Sequence, residues 1–207
     1  MALKCFRKSF WFCCVLALLT GPRLIAQGGG MAAGVPPPGT DSMPGVGKVS
    51  VDPNTAHSFP DQAFVRMVLE RDMAETELGK LAEDKAQSDD VKTLARWVVT
   101  GTSQLDGGFK AIAGAMNVGS PKEASKKDKQ AIAKLQGLSG TEFDEEFIKI
   151  IMNMQRRDNR DFEMEADKAD DPNLKQAAAQ DSAAVTAHIK DTEKIAQAHN
   201  IPLNAKS

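Results

Sequence analysis

The sequence predicts an all-α protein, a bundle of four long helices in which a long connection with a short helix joins the second to the third. Apolar residues recur every three or four positions along four long stretches, which is the spacing of one face of a helix. No stretch alternates apolar and polar residues as a half-buried strand does, and no Asn-Gly hairpin signal occurs. Two of the three loops between the long helices are tight, so the helices that they join are expected to be antiparallel neighbours.

The first predicted helix covers about residues 60–86, and the second follows Ser88, its expected N-cap, and continues to about Asn117. The second helix contains four glycines, each of which costs roughly 1 kcal/mol relative to alanine inside a helix. We therefore expect a bend or fraying near Gly107-Gly108, or close contact between that backbone and a neighbouring helix.

Residues 119–140 form the long connection. Within it, the stretch from Ser125 to Gln136 is interpreted as a short amphipathic helix with Ile132 and Leu135 on its apolar side. A cluster of lysines is interpreted as the solvated face of this helix: Lys122, Lys126, Lys127 and Lys129.

The third long helix is predicted from Thr141, its expected N-cap, to Ala169, where Asp171-Pro172 ends it. Acidic residues in its first turns suit the positive end of the helix dipole. The fourth helix is predicted from Pro172, a residue that suits a first helical turn, to about His199.

Each of the four apolar stripes is interrupted near its centre by a polar residue. Each of these residues lies roughly 13–16 positions into its helix, about 20 Å along it at 1.5 Å per residue. We therefore expect them to meet at one level of the bundle, as a buried polar layer, and bundles place metal or cofactor ligands at this level. The four residues, in chain order, are Glu75, Thr102, Gln155 and His188.

The ligand chemistry of this predicted polar layer is poor. A di-iron site of that architecture uses four carboxylates and two Glu-x-x-His motifs, and this chain contains no Glu-x-x-His. We therefore interpret the layer as a hydrogen-bonded device that sets the helix register. Two alternatives stay open: weak metal binding through Glu75 and His188, and a small-ligand pocket. No catalytic residue and no cofactor are predicted, because no nucleophile triad, phosphate loop or zinc motif occurs.

The first 26 residues are typical of an export signal. Three basic residues between positions 4 and 8 precede a short apolar run, residues 10–19, and Ala26 offers a small residue for cleavage. The run is shorter than the roughly 20 apolar residues that span a membrane. The sequence thus predicts an exported protein of the periplasm or cell envelope, with no transmembrane helix in the mature chain. All three cysteines lie inside the signal, so the mature chain would form no disulfide.

Residues 27–58 are rich in Gly and Pro and poor in bulky side chains, and they are interpreted as a disordered tether. The single histidine of this stretch, His57, is expected to be solvated. The bundle domain is predicted at residues 59–200 and a tail at 201–207.

Charge argues against two classes of partner. Loss of the four basic residues of the signal would lower the net charge from −2 to −6. A net negative charge does not favour binding to nucleic acid or adhesion to anionic lipid.

Several motifs resemble one known family, the exported bacterial domain-of-unknown-function family 4142, over about residues 59–199. They are FVRMVLERDMAETELGKLAEDKAQSDDVKTLARWVV from Phe64, LSGTEFDEEFI from Leu138, the Asp171-Pro172 turn and Ala187-His188. The resemblance implies a ferritin-like four-helix bundle and export, and it implies no activity. Two of the usual histidine positions of the family are substituted, by Gly101-Thr102 and by Gln155.

Together these observations predict an exported, non-enzymatic helical bundle with a structural or binding role at the cell envelope. The envelope partner and the oligomeric state stay open. The alternative is a ferritin-like metal-binding or redox and stress protein that uses Glu75 and His188.

Overall fold

Five helices make up the part of the chain that the structure, a computed structural model, describes: residues 57–202 without the side chains of residues 105 and 106. The predicted signal, most of the predicted tether and most of the predicted tail lie outside these residues. The four long helices form the predicted all-α bundle, and the short helix lies in the connection, also as predicted. The helices are α1 (Phe59–Lys85), α2 (Asp89–Ala115), α3 (Lys126–Gln136), α4 (Gly140–Lys168) and α5 (Pro172–Ala198).

The long connection runs the length of the bundle. The side chain of Gln62, at the start of α1, donates to the carbonyl oxygen of Met116 over 3.4 Å, so α2 ends where α1 begins. The start of α4 contacts the α1–α2 loop at the opposite end, where Asp144 accepts from the backbone nitrogen of Ser88. Helix α3 covers part of this distance, and Lys85 at the end of α1 donates to the carbonyl oxygen of Gln136. The sequence left this direction open.

The hairpins α1–α2 and α4–α5 correspond at a spacing of 83 positions, since the bounds of α2 shifted by 83 are those of α5, and those of α1 nearly those of α4. Asn117 and Asn200, 83 positions apart, have φ angles of 55° and 54°. After each asparagine, a backbone N–H closes the helix in the same way, from Val118 to the oxygen of Ala113 and from Ile201 to that of Ala196. Both hairpins therefore end in the same left-handed turn, and α3 connects two copies of one motif.

Each hairpin holds the loop of the other through a buried aspartate near the start of its first helix. Asp61, 2% exposed, accepts from the backbone nitrogens of Asp170 (3.4 Å) and Asp171 (2.8 Å). Its equivalent Asp144, 1% exposed, accepts from the backbone nitrogens of Gln87 (2.9 Å) and Ser88 (2.8 Å) and from the Ser88 hydroxyl. These two reciprocal sets of hydrogen bonds join the hairpins at both ends of the bundle.

Two of the predicted N-caps differ in detail. The prediction of Thr141 as the N-cap of α4 is wrong, because the helix begins at Gly140 and its N-cap is Ser139. Ser88 is the N-cap residue of α2 as predicted, but its hydroxyl donates to Asp144 and caps no α2 nitrogen. At Ser88 a contact with the other hairpin overrides the local preference.

The solvated state expected for His57 is also wrong. Its side chain is 8% exposed, and Nδ1 lies 3.1 Å from Oδ2 of Asp171, the N-cap of α5. His57, just before α1, therefore packs against the α4–α5 loop. This contact joins residues 114 positions apart in the sequence, and no local sequence pattern indicates it.

The apolar core has two clusters, one toward each end of the bundle. The cluster nearer the α1–α2 loop contains Leu78, Leu94, Phe143 and Phe147. In the cluster at the opposite end, the rings of Phe64, Phe109 and Phe162 contact one another with centroids 5.7–6.2 Å apart. The interruptions of the stripes fall between these two clusters.

Glycines in α1 and α2 have opposite roles. Helix α2 is continuous through Gly107-Gly108, so the fraying expected there is wrong. The close approach lies at Gly79 of α1, where an added Cβ would be 2.7 Å from Cγ2 of Val99 and 3.1 Å from the carbonyl oxygen of Ala95. A Cβ on Gly107 would have no neighbour within 4 Å.

Gly79→Ala is therefore expected to lower the free energy of unfolding by roughly 1–3 kcal/mol, because the α1–α2 contact must open. The matched variant Gly107→Ala should raise it by roughly 1 kcal/mol through helix propensity alone. Urea unfolding of residues 27–207, in which Trp97 is the only tryptophan, measures both by fluorescence. Equal effects of the two variants would contradict the close approach at Gly79.

Candidate functional site

The four residues of the predicted polar layer line one cavity between the two apolar clusters. Glu75 comes from α1, Thr102 from α2, Gln155 from α4 and His188 from α5. The cavity has a volume of about 40 Å³. A buried water needs roughly 10–15 Å³ of such space, so the cavity has room for about three waters.

Within the layer, Glu75 and Thr102 share a hydrogen bond, whereas Gln155 bonds to a residue outside the four. The Thr102 hydroxyl donates to Oε2 of Glu75 over 3.4 Å. Oε1 of Gln155 accepts from the hydroxyl of Thr192, a fully buried residue of α5, over 3.0 Å. The same hydroxyl lies 3.0 Å from the backbone oxygen of His188. Gln155 thus ties α4 to α5, while Glu75 ties α1 to α2.

A network of ion pairs joins α1, α3 and α4 beside the cavity. Arg71 contacts Asp158 over 2.8 Å and Asp161 over 2.6 Å. Arg157 extends the network to Asp158 (3.4 Å) and to Asp128 of α3 (3.5 Å). This network links the two hairpins and the connection at the level of the cavity. It was not predicted from the sequence.

The 83-residue spacing is the signal that could have found Asp158. Asp158 stands 83 positions after Glu75, so the two occupy equivalent places in the two hairpins. Both line the cavity, and their carboxyl groups are hydrogen-bonded to each other. Arg71 gives no such signal, because its equivalent position holds Met154.

The centre of the bundle perturbs two titratable groups. Burial raises the pKa of Glu75 well above its usual range, and the nearby carboxylates of Asp158 and Asp72 raise it further, against an opposing contribution from Arg157. Burial lowers the pKa of His188, although Asp191 opposes this shift. Glu75 thus tends to stay protonated and His188 neutral, and both states reduce the buried charge.

Asp181 of α5 is a further buried carboxylic acid, 3% exposed. Burial raises its pKa from 3.8 to about 7. Between about pH 4 and pH 7 the folded chain therefore holds a proton that the unfolded chain has lost, so stability falls as the pH rises through this window. Above pH 7 the buried charge costs about 4 kcal/mol.

Asp181→Asn is expected to remove this cost, since asparagine resembles the protonated acid. The free energy of unfolding should change little at pH 4 and should rise by up to about 4 kcal/mol at pH 8. Urea unfolding at several pH values measures the two profiles. Parallel profiles for the two proteins would contradict the assignment to Asp181.

The arrangement is a poor metal site. Within the described residues, no group of three or more His, Cys, Asp or Glu side chains could hold a metal ion. Glu75 and His188 line the same cavity, but Arg71 also lines it and supplies positive charge beside the carboxylates.

Comparisons with known proteins identify the family and the fold. The model of the family described as "Domain of unknown function (DUF4142)" matches residues 47–195. No curated protein matches the chain. A DUF305 fragment from Deinococcus radiodurans is similar in structure, with a TM-score of 0.63 and 14% identity over 70% of this chain and 99% of that chain.

A second similar structure is a DUF305 protein from Streptomyces coelicolor, described as a candidate secreted protein. It has a TM-score of 0.60 and 11% identity over 70% of this chain and 97% of that chain. At these identities the likeness shows the helical-bundle fold alone. Within the described residues, no helix is long and apolar enough to cross a membrane.

Proposed function

We propose a function for this chain from its own residues, since it belongs to the domain-of-unknown-function family DUF4142. The chain is an exported, non-enzymatic helical bundle of the cell envelope with a structural or binding role. The observation that carries the non-enzymatic role of the polar layer is the size of the cavity that its residues line. At about 40 Å³ it has far less space than the roughly 300–1,000 Å³ of a typical ligand pocket.

The contacts within the polar layer and in the ion-pair network beside it support a structural role for the layer. Arg71 takes up the charge of Asp158 and Asp161, and Thr192 satisfies Gln155. Groups that are paired with one another across helices set the register of those helices and are not available to attack a substrate. The layer therefore acts as a register device.

Gln155→Leu tests this role. Leucine adds apolar burial, and the Thr192 hydroxyl keeps an acceptor in the backbone oxygen of His188, so the free energy of unfolding should change by less than about 1 kcal/mol or rise. Urea unfolding with Trp97 as the probe measures it. A loss above about 3 kcal/mol would mean that Gln155 satisfies a demanding buried partner, and the register role would then be abandoned.

Export rests on the signal-like residues 1–26 and agrees with the description of the Streptomyces coelicolor protein. Fractionation of bacteria that produce the full chain tests it. The chain is expected outside the cytoplasm and shortened at or near Ala26, whereas a variant without residues 1–26 should stay inside. A full-length chain found in the cytoplasm would refute export.

The non-enzymatic part has its own test in metal analysis. Protein purified without a histidine tag is expected to contain no stoichiometric iron, manganese or zinc. A stoichiometric metal that is lost in both Glu75→Gln and His188→Ala would instead establish the ferritin-like metal-binding alternative.

A further inference from the structure

Helix α3 lies on the outside of the bundle and packs through one side only. Its buried residues Asp128, Ile132 and Leu135 lie on one side of the helix. The opposite side is exposed and contains no carboxylate, and its residues are Lys126, Lys127, Lys129, Gln130, Ala133 and Lys134. This side of α3, together with the exposed Lys122 just before the helix, is called the lysine face below.

The lysines of this face differ in their partners. Lys129 pairs with Glu123 over 2.5 Å, and Lys134 pairs with Glu146 of α4 over 2.7 Å. Lys122, Lys126 and Lys127 are exposed and form no ion pair with any residue in the described part of the chain. Three cations within six positions are thus uncompensated.

Two of these cations stand where the helix itself disfavours them. Lys126 and Lys127 are the first two residues of α3, after the N-cap Ser125. The positive end of the helix dipole repels cations in a first turn, where acidic residues are the usual choice. The placement of Lys126 and Lys127 therefore gains no stability from the helix dipole.

The lysine face contrasts with the rest of the domain. Residues 122–134 contain five lysines and two acidic residues, and one of these, Asp128, is buried and paired with Arg157. The chain without residues 1–26 has a net charge of −6. The remaining surface is therefore strongly acidic, and an anionic plane would attract the lysine face and repel the other faces.

We propose that the lysine face is a docking surface for an anionic phospholipid membrane. An exposed helix side with its charges spread along 13 residues suits an extended charged plane. The choice of a membrane rests on the proposed export, which would bring the domain beside one. The net negative charge of the whole chain argued against adhesion to anionic lipid. That net charge is a sum over all surfaces, however, and the fold places the lysine face apart from the acidic ones.

The size of the effect follows from the charges. Each lysine near an anionic membrane contributes about 1 kcal/mol, which is roughly fivefold in affinity. Replacement of Lys122, Lys126 and Lys127 by glutamine should therefore weaken binding roughly 100-fold. Raised salt should weaken the binding of the unchanged protein as well, because screening shortens the reach of these charges.

Co-sedimentation with vesicles tests the proposal, using residues 27–207 and equal parts of phosphatidylglycerol and phosphatidylcholine at low salt. The control variant replaces three exposed lysines of α5 by glutamine and changes the net charge equally: Lys175, Lys190 and Lys194. We expect the unchanged protein and the control to bind within about threefold of each other, and neither to bind pure phosphatidylcholine. Circular dichroism checks that both variants keep the fold.

Three results would overturn the proposal. They are no binding of the unchanged protein to the anionic vesicles, equal binding by the Lys122/Lys126/Lys127 variant, or an equal loss in the control. Binding to soluble heparin but not to vesicles would count against a membrane and in favour of an anionic polymer. Failure of export in cells would leave the vesicle result intact, so the two proposals fail separately.

Discussion

Asp144→Ala is expected to lower the free energy of unfolding by about 3 kcal/mol. The Asp144 carboxylate is buried and accepts two backbone N–H groups and a hydroxyl from the α1–α2 loop. Hydrogen bonds to a charged group contribute roughly 1.5–3 kcal/mol each, and the partial exposure of Gln87 and Ser88 lets water replace some of them. Urea unfolding measured with Trp97 fluorescence gives the value.

The correspondence of the two hairpins at 83 positions provides matched control variants for this prediction. Asp61→Ala should destabilise as well, and somewhat less, because one of its two backbone contacts is long at 3.4 Å. The caps lie at opposite ends of the bundle, so the losses should add in the double variant. The exposed equivalent pair Asp84 and Asp167 should each tolerate alanine within about 0.5 kcal/mol. A loss at Asp144 no larger than at Asp84 would contradict the reciprocal caps.

Arg71→Leu has the second large expected effect, a loss of roughly 3–5 kcal/mol. It removes the cation that contacts Asp158 and Asp161 and leaves Asp158 buried beside Glu75. A buried ion pair that loses one partner costs far more than the pair contributes, because the remaining charge stays desolvated, and here only the longer 3.4 Å contact with Arg157 offsets that cost. The same unfolding experiment measures this loss.

A second substitution separates this cause from lost packing. Arg71→Leu with Asp158→Leu removes both charges, so the double variant should be more stable than the sum of the single variants predicts. Lys149→Leu breaks a half-exposed pair with Glu145 and should cost less than about 1 kcal/mol. If the double variant is less stable than Arg71→Leu alone, the charge of Asp158 is not the cause.

The helices of this protein could be predicted from the sequence because their signals are local. Apolar spacing, Ser88, Pro172 and the Asp171-Pro172 turn act within a few positions, and the observed bounds follow them closely. The common level of Glu75, Thr102, Gln155 and His188 follows from the fixed rise per residue, and the structure places all four at one cavity. Their role as a register device stays a proposal.

The partners of these residues could not be predicted, because they are far apart in the chain. Arg71 and Asp158 are 87 positions apart, and Gln155 and Thr192 are 37 apart. Arg71 and Asp158 meet only after the two hairpins pack together, and Gln155 and Thr192 meet only after α4 and α5 pack within their hairpin. The sequence therefore showed polar groups at the right height and did not show which of them pair.

The sequence by itself determined the helices, the two tight hairpins and the height of the polar layer, since each depends on spacing along one or two neighbouring elements. Only the tertiary structure decided the direction of the connection, the burial of His57, the close approach at Gly79 and the reciprocal caps at Asp61 and Asp144. Each of these is a contact between elements whose separation in the chain carries no periodic signal. The physical reason is that burial and desolvation depend on what packs against a residue, and sequence spacing reports only the face on which that residue lies.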